Sequence, residues 1–292
     1  PITSPYSVDI QVQDDAGATV HQTFNITVTD AFVVDDDGGA DFTVLQNAID
    51  NAADGDSIHV NDGTYGPINY KGKNLVIYSS TAPANTIIEG SGATAVKVKD
   101  NSGADTRLSG FTITNGDGTQ DADVQAGSDY AGNGYSGGGL VIQNSNFTGD
   151  NLVIEGNIAP RENKVGGSGG GVYIGGGSTV TFSTVRIRNN TAELYRGGGI
   201  CIDIASLAMN DVYINNNTGG NYGGGISAWF ASITIEGNSQ IKNNNAGALN
   251  GQGGGIYLHH STVTFNDNSD LGGNTAKRVA PKIYGIKSTI ND

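Results

Sequence analysis

Residues 189–204 read NNTAELYRGGGICIDI: an asparagine pair, a short variable stretch, three glycines and a strand-like apolar run. The order recurs. SGGGLVIQ, GGGVYIGG, GGGICIDI, GGGISAWF and GGGIYLHH place their triplets at 137, 169, 197, 223 and 253, spaced by 32, 28, 26 and 30 residues. Each triplet is followed, about 20 residues on, by an Asn-bearing stop: EGN, RNN, NNN, KNN and GGN, near 157, 190, 217, 244 and 274. The length varies only after the stop, in IAPRENKVGGS, TAELYR, TGGNY and AGALNGQ. A fixed unit with insertions confined to one place is the pattern of a solenoid whose loops leave from one face.

Within a unit, stretches such as GVYIGG, STVTFST and VRIRNN read as three short strands separated by turns. Three sides of four or five residues, at roughly 3.3 Å each, close one coil of a parallel β-helix. Val180, Phe182, Val185 and Ile187 alternate with polar neighbours, so they are expected to point inward. Glycine at a coil corner supplies positive φ, and without Cβ it lets successive corners stack about 4.8 Å apart. The asparagines at each stop are expected to form side-chain amide ladders between coils. The fold expected is all-β, a right-handed parallel β-helix.

Composition narrows the partners. Of 292 residues 36% are hydrophobic but only 7% aromatic, so the core is built from small and β-branched side chains. The net charge is −14 and the pI about 4.4. So acidic a surface repels nucleic acid and anionic membranes, and anionic polysaccharides unless a cation bridges them. No nucleic-acid partner is expected, and no apolar run is long enough for membrane insertion of this segment. Cys201 is the single cysteine, which excludes an intramolecular disulfide, and its place in GGGICIDI reads as a small buried hydrophobe. Few lysines, many Asn and Gly and no cysteine framework point to a bacterial extracellular or cell-surface location, as a piece of a larger protein.

Ahead of the repeats, residues 1–31 hold two alternating strands, YSVDIQVQ and HQTFNITVTD, joined by DDAGAT, a hairpin that must pack on something. It resembles the last two strands of a cadherin-like or PKD-like module; the alternative is a hairpin lying along the main body. Two parts are therefore expected, 1–31 and 32–292. A helix is predicted over about 41–53, with Asp41 as N-cap and Val44, Leu45, Ala48, Ile49 and Ala52 as its apolar stripe. The strands that follow it are too short and too closely spaced for a doubly wound α/β fold.

LSGFTITNG at 108–116 and the glycine-triplet units resemble right-handed parallel β-helix repeats of the polymorphic outer-membrane and adhesin type. DFTVLQNAIDNAADGDSIHVNDGTY resembles the capping segment of the pectin-lyase-like superfamily. Together the two cover about 260 residues. The resemblance implies the fold and no single activity, because that superfamily holds lyases, hydrolases, esterases, epimerases and adhesins.

Candidate chemistry is thin. A β-helix lyase needs a basic residue and acidic side chains holding Ca²⁺ around a uronate. Lys97 with Lys99, and Arg186 with Arg188, are i, i+2 pairs on strands and read as solvated faces, as does Lys242, without a matching Asp cluster. The motifs of pectin methylesterase chemistry do not follow the cap. His21, His59, His259 and His260 form no set, since neighbours in a strand point to opposite faces. In the loop at 116–136, Asp117, Asp121, Asp123 and Asp129 are hard oxygen donors and the candidate Ca²⁺ ligands; no cofactor is otherwise required. DDDGGAD at 35–41 carries the same ambiguity between calcium and helix capping. Tyr135, Tyr195 and Tyr222 stand just before their triplets, and Trp229 lies nearby, so these rings are candidates for binding neutral sugars, or for bracing a coil edge.

Three functions follow. The first is a non-catalytic surface module with an adhesion or scaffold role and a glycan or cell-surface partner. The second is a polysaccharide lyase or hydrolase. The third is a filament-type subunit that self-associates through the N-terminal hairpin or the strand edges of KIYGIKSTIND, which has no capping helix.

Overall fold

In a computed structural model, residues 6–26, 31–101, 103, 105–118, 137–162, 165–247, 251–266 and 269–291 are described. Tyr6–Gln13 and Thr19–Ile26 form an antiparallel hairpin in register from Tyr6 opposite Ile26 to Gln13 opposite Thr19. From Ala31 onward the chain is a right-handed parallel β-helix. Its described strands stack into parallel sheets of ten, eight, seven and five strands. Successive strands of a sheet come from successive coils: Ile200–Asp203 lies between Val172–Gly175 and Ile226–Trp229, in unbroken register. The core is a column of Ile, Val, Leu and Phe; Val180, Phe182, Val185 and Ile187 are all buried in it, as their alternation required.

The helix is shorter than expected, Leu45–Asn51. Its N-cap position is Val44, with no side-chain cap; the Asp41 carboxylate instead accepts the Val33 backbone N–H. That bond fixes the entering strand, so Asp41 cannot serve the helix. Leu45, Ala48 and Ile49 are buried against the first coil, and the Lys73 ammonium donates to the carbonyls of Ile49, Asp50 and Ala52 at the far end. A cation on the unfilled carbonyls complements the helix dipole.

Both roles assigned to the repeat punctuation are visible. The first glycine of each triplet has positive φ, for example Gly197 at 60° and Gly223 at 66°. The third has no room for a side chain. A Cβ on Gly199 would meet the Gly225 carbonyl oxygen at 2.7 Å, and one on Gly171 the Gly199 oxygen at 2.8 Å. The nearest atom is each time a carbonyl oxygen of the coil that follows. In the coil of Ile283–Ile286 the triplet positions carry Ala280, Pro281 and Lys282.

The asparagine stops are buried and bonded in series. Asn157 donates its amide to Asn190, Asn190 to Asn217, Asn217 to Asn244 and Asn244 to Asn274, each at 3.0–3.1 Å. The same oxygens accept the backbone N–H groups of Asn157, Asn190, Asn217 and Asn244. One side chain per coil thus satisfies polar backbone at a corner that would otherwise be buried without partners. The residue before each is left-handed: Asn189, Asn216 and Asn243, or Gly156 and Gly273. Asparagine tolerates that conformation better than other side chains, which explains the doubled Asn.

Candidate functional site: the covered face of the eight-stranded sheet

On the eight-stranded sheet, outward positions fall into two ranks along the solenoid axis. One runs Lys97, Val141, Tyr173, Cys201, Ser227, Tyr257, Tyr284; the other Lys99, Gln143, Gly175, Asp203, Trp229, His259, Ile286. Strand alternation alone would leave both ranks in solvent. Instead Val141, Tyr173, Cys201, Ser227, Tyr257, Asp203 and Trp229 are buried. Residues from the variable segments fold back over this face. They are anchored by a bridge ladder running Ser168, Arg196, Tyr222, Gln252, Val279 just before the triplets.

Arg196 is the central element of that cover. It is 3% exposed, its guanidinium carbon lies 4.1 Å from the centre of the Trp229 ring, and its Nη1 is 3.9 Å from Oδ2 of Asp203, itself 1% exposed. A buried charge demands such a counter-charge, and a ring face adds further stabilisation. Around it the rings are continuous. Tyr222 meets Tyr257 at 4.7 Å and Trp229 at 6.2 Å, Tyr257 stacks on Tyr284 at 5.7 Å, and Trp229 stacks on His259 at 4.0 Å. Tyr222, Tyr284 and His259 are half-buried and form the accessible part of the face.

Burial pushes the Tyr257 phenol up to about 12, with the neighbouring tyrosines adding to it. His259 is held below the usual imidazole range, first by desolvation and then by His260, Arg196 and Lys287, so it is neutral near pH 7. Its Nδ1 has no hydrogen-bond partner among the described residues. Cys201 packs with Val141 and Tyr173, and burial raises its thiol to about 12, which keeps it a small hydrophobe rather than a nucleophile.

The sequence-derived candidates are distributed as follows. Trp229 and Tyr222 belong to this face. Tyr195 is half-buried, but the position stacked beneath Tyr222 is Arg196, because LYRGGG carries one residue more between Tyr and triplet than NYGGG. Tyr135, Asp121, Asp123 and Asp129 lie outside the described residues. Asp117 is exposed and bridges to Ile158. Among the described residues one trio of carboxylates comes within 4.8 Å, Asp35, Asp36 and Asp37. Two of its members already accept hydrogen bonds, Asp35 from the Asn61 amide and Asp36 from the Thr64 N–H.

Basic strand residues sit in surface ion pairs between coils, Arg188 with Glu155 at 2.6 Å and Lys242 with Asp270 at 2.6 Å. The expectation that His259 and His260 point apart fails. His260 is not in the strand but at a left-handed corner, φ 49°, and the rings meet at 4.5 Å. Arg196, Asp203, Tyr257 and Tyr284 were not singled out from the sequence; the only signal was their recurrence at fixed offsets from the triplets.

No protein-family profile matches the chain, and no curated protein sequence matches it. Among solved structures it is similar to pectin methylesterase from carrot, at 14% identity and TM-score 0.45 over 87% of this chain and 88% of that one. Pectin methylesterase PemA from Erwinia chrysanthemi follows at 13% and 0.45, over 90% of each chain. Alginate lyase from Paenibacillus sp. str. FPU-7 stands at 14% and 0.39, over 85% and 96%. No activity is carried from these proteins to this chain. Among the described residues no helix is long and apolar enough to cross a membrane.

Proposed function

We propose that this chain acts on a polysaccharide laid across successive coils on the face formed by Tyr222, His259 and Tyr284, with the buried Trp229 ring behind them. The observation that carries the reading is the continuous ring surface, backed by a buried Arg196–Asp203 pair that fixes Trp229 in place. Sugar rings offer apolar C–H faces to such a surface and hydroxyls to its polar edges. His259 is the proton-transferring group of the proposal. It is half-exposed, neutral near pH 7, and stacked where a sugar would lie.

A binding-only role is the second reading. It is favoured by the near-complete burial of Arg196 and Asp203, which keeps both from touching a ligand in this arrangement. The adhesion or scaffold role expected from the sequence gains no support from any surface among the described residues.

The test is affinity electrophoresis and product analysis with pectin, alginate and neutral glucans, scoring reducing ends, unsaturated sugars and released methanol. Turnover that His259→Ala abolishes while gel retention persists supports the first reading. Retention without products, equal in wild type and His259→Ala, establishes the second. An absence of retention on every polysaccharide overturns both.

A further inference from the structure

After each strand of the eight-stranded sheet the chain turns a corner on a left-handed residue. Along the solenoid these are Gly72, Asp100, Asn144, Gly176, Ile204, Phe230, His260 and Lys287. Asp, Asn and Gly are the residues that tolerate this conformation. Ile204 at φ 51° and Phe230 at φ 48° do not belong there: a β-branched and a bulky side chain in the left-handed region are strained, and both stay 44–50% exposed. Neither side chain belongs to the core, and Phe230 packs on the histidines of the following corner.

The side that follows opens on serine in four coils, at Ser145, Ser178, Ser261 and Ser288, on Asn101 in an earlier one, and on alanine after Ile204 and Phe230. The Ser145 and Ser178 hydroxyls accept the backbone N–H groups of Asn101 and Ser145, and the Ser261 and Ser288 hydroxyls those of Ala231 and Ser261. At Ala205 and Ala231 the ladder is interrupted by apolar residues. The result is a shallow trough of about 520 Å³, with Ile204, Phe230 and His260 on one wall, Ala205 and Ala231 as floor, and Ser206 and Ser232 on the other wall. No Asp, Glu, Lys or Arg lines it, in a chain of net charge −14. Phe230 stacks on His260 at 5.0 Å and 13°, and meets His259 at 5.8 Å, so this wall continues the aromatic face around the corner.

We infer that this corner trough is a second sugar-stacking site, taking a neutral hexose segment of a polysaccharide against Phe230, His260 and Ile204, with Ser206 and Ser232 bonding its hydroxyls. A ligand accounts for backbone strain retained at exposed positions above an apolar floor. The inference rests on the polysaccharide reading of the neighbouring face.

The test replaces Ile204 and Phe230 by the asparagine that the same corner uses at Asn144, beside Tyr222→Ala as the probe of the sheet face. Hydroxyethylcellulose, laminarin and, as an anionic control, polygalacturonate serve as probes. Ile204→Asn/Phe230→Asn is expected to raise Tm by about 2–4 °C as strain is relieved, while weakening retention on the neutral glucan by about tenfold. Ser206→Ala/Ser232→Ala leaves the corner backbone untouched and is expected to weaken retention as well, which supports the site even if the asparagine variant is hard to produce. Wild-type retention in both corner variants, with loss in Tyr222→Ala, overturns the trough alone. A fall in Tm overturns it too, since the corner would then be structural. Loss in the corner variants with full retention in Tyr222→Ala leaves the trough standing without the sheet face, and a wild type retained on no probe removes both.

Discussion

Asn217 stands in the middle of the asparagine ladder, and Asn217→Ala removes four hydrogen bonds at one stroke. Its amide donates to Ile187 O at 2.9 Å and to Asn244 Oδ1 at 3.0 Å, and its Oδ1 accepts both the Asn190 backbone N–H and the Asn190 side-chain amide at 3.0 Å. Asn190 keeps its bond to Ile154 O, but its backbone N–H is left buried without that acceptor. A stranded buried donor costs about 1–3 kcal/mol and each of the three other lost bonds about 0.5–1.5, so the variant is expected to lose about 2.5–7.5 kcal/mol. Urea unfolding followed by fluorescence reports this loss directly, because Trp229 is the single tryptophan and lies in the adjoining coil. Asn274, at the end of the series, donates to Ile241 O and Leu271 O and accepts from the backbone N–H and amide of the buried Asn244, so Asn274→Ala is expected to cost a similar amount. A loss under about 1 kcal/mol at either position would refute the view that the ladder satisfies buried corner backbone.

Other outcomes follow from the same geometry. Gly199→Ala sets a methyl 2.7 Å from the Gly225 carbonyl oxygen, where only backbone could yield, and is expected to abolish soluble folded protein; Gly66→Ala, with nothing within 4 Å, is expected to leave circular dichroism and Tm unchanged. His259 is neutral in the fold and takes a proton more readily once unfolded. Its contribution to stability is therefore present above about 6.5 and is lost as pH falls through its lowered folded value. Its Cε1 proton should titrate below the ordinary imidazole range by NMR, and an ordinary midpoint would contradict the desolvated stack on Trp229. Cys201, raised to about 12, is expected to resist a thiol-reactive disulfide reagent at pH 8 until the protein unfolds; rapid native labelling would show that the covered face opens.

The fold was legible because its determinants are local and repeated. A triplet whose third glycine faces the next coil leaves the same trace five times, and so does an asparagine that must satisfy one corner. The covered face was only half legible, since it depends on segments that vary in length. One residue more or less before the triplet decides whether Tyr or Arg enters the bridge ladder, and that is how Arg196 came to sit where Tyr195 was expected to stack. Asp203 reads in sequence as an outward strand residue and is buried only because Arg196 returns over it. His260 reads as the partner of His259 in one strand, yet the strand ends at His259 and the corner turns His260 back beside it.

The direction in which the triplet crowds its neighbour bears on how such a chain can change length. Gly171 meets Gly199, Gly199 meets Gly225 and Gly225 meets Gly255, so the triplet contact is the same at each of these junctions. Removing residues 197–222 would join Arg196 to Gly223, bring Gly171 against Gly225, and let Asn190 bond Asn244 in place of the lost Asn217. Whole coils are therefore exchangeable parts. Gain or loss of one unit moves the far end by a single step of about 4.8 Å and keeps the triplet and asparagine contacts between coils, while the outer face changes with the unit that is lost, here Asp203 and Tyr222.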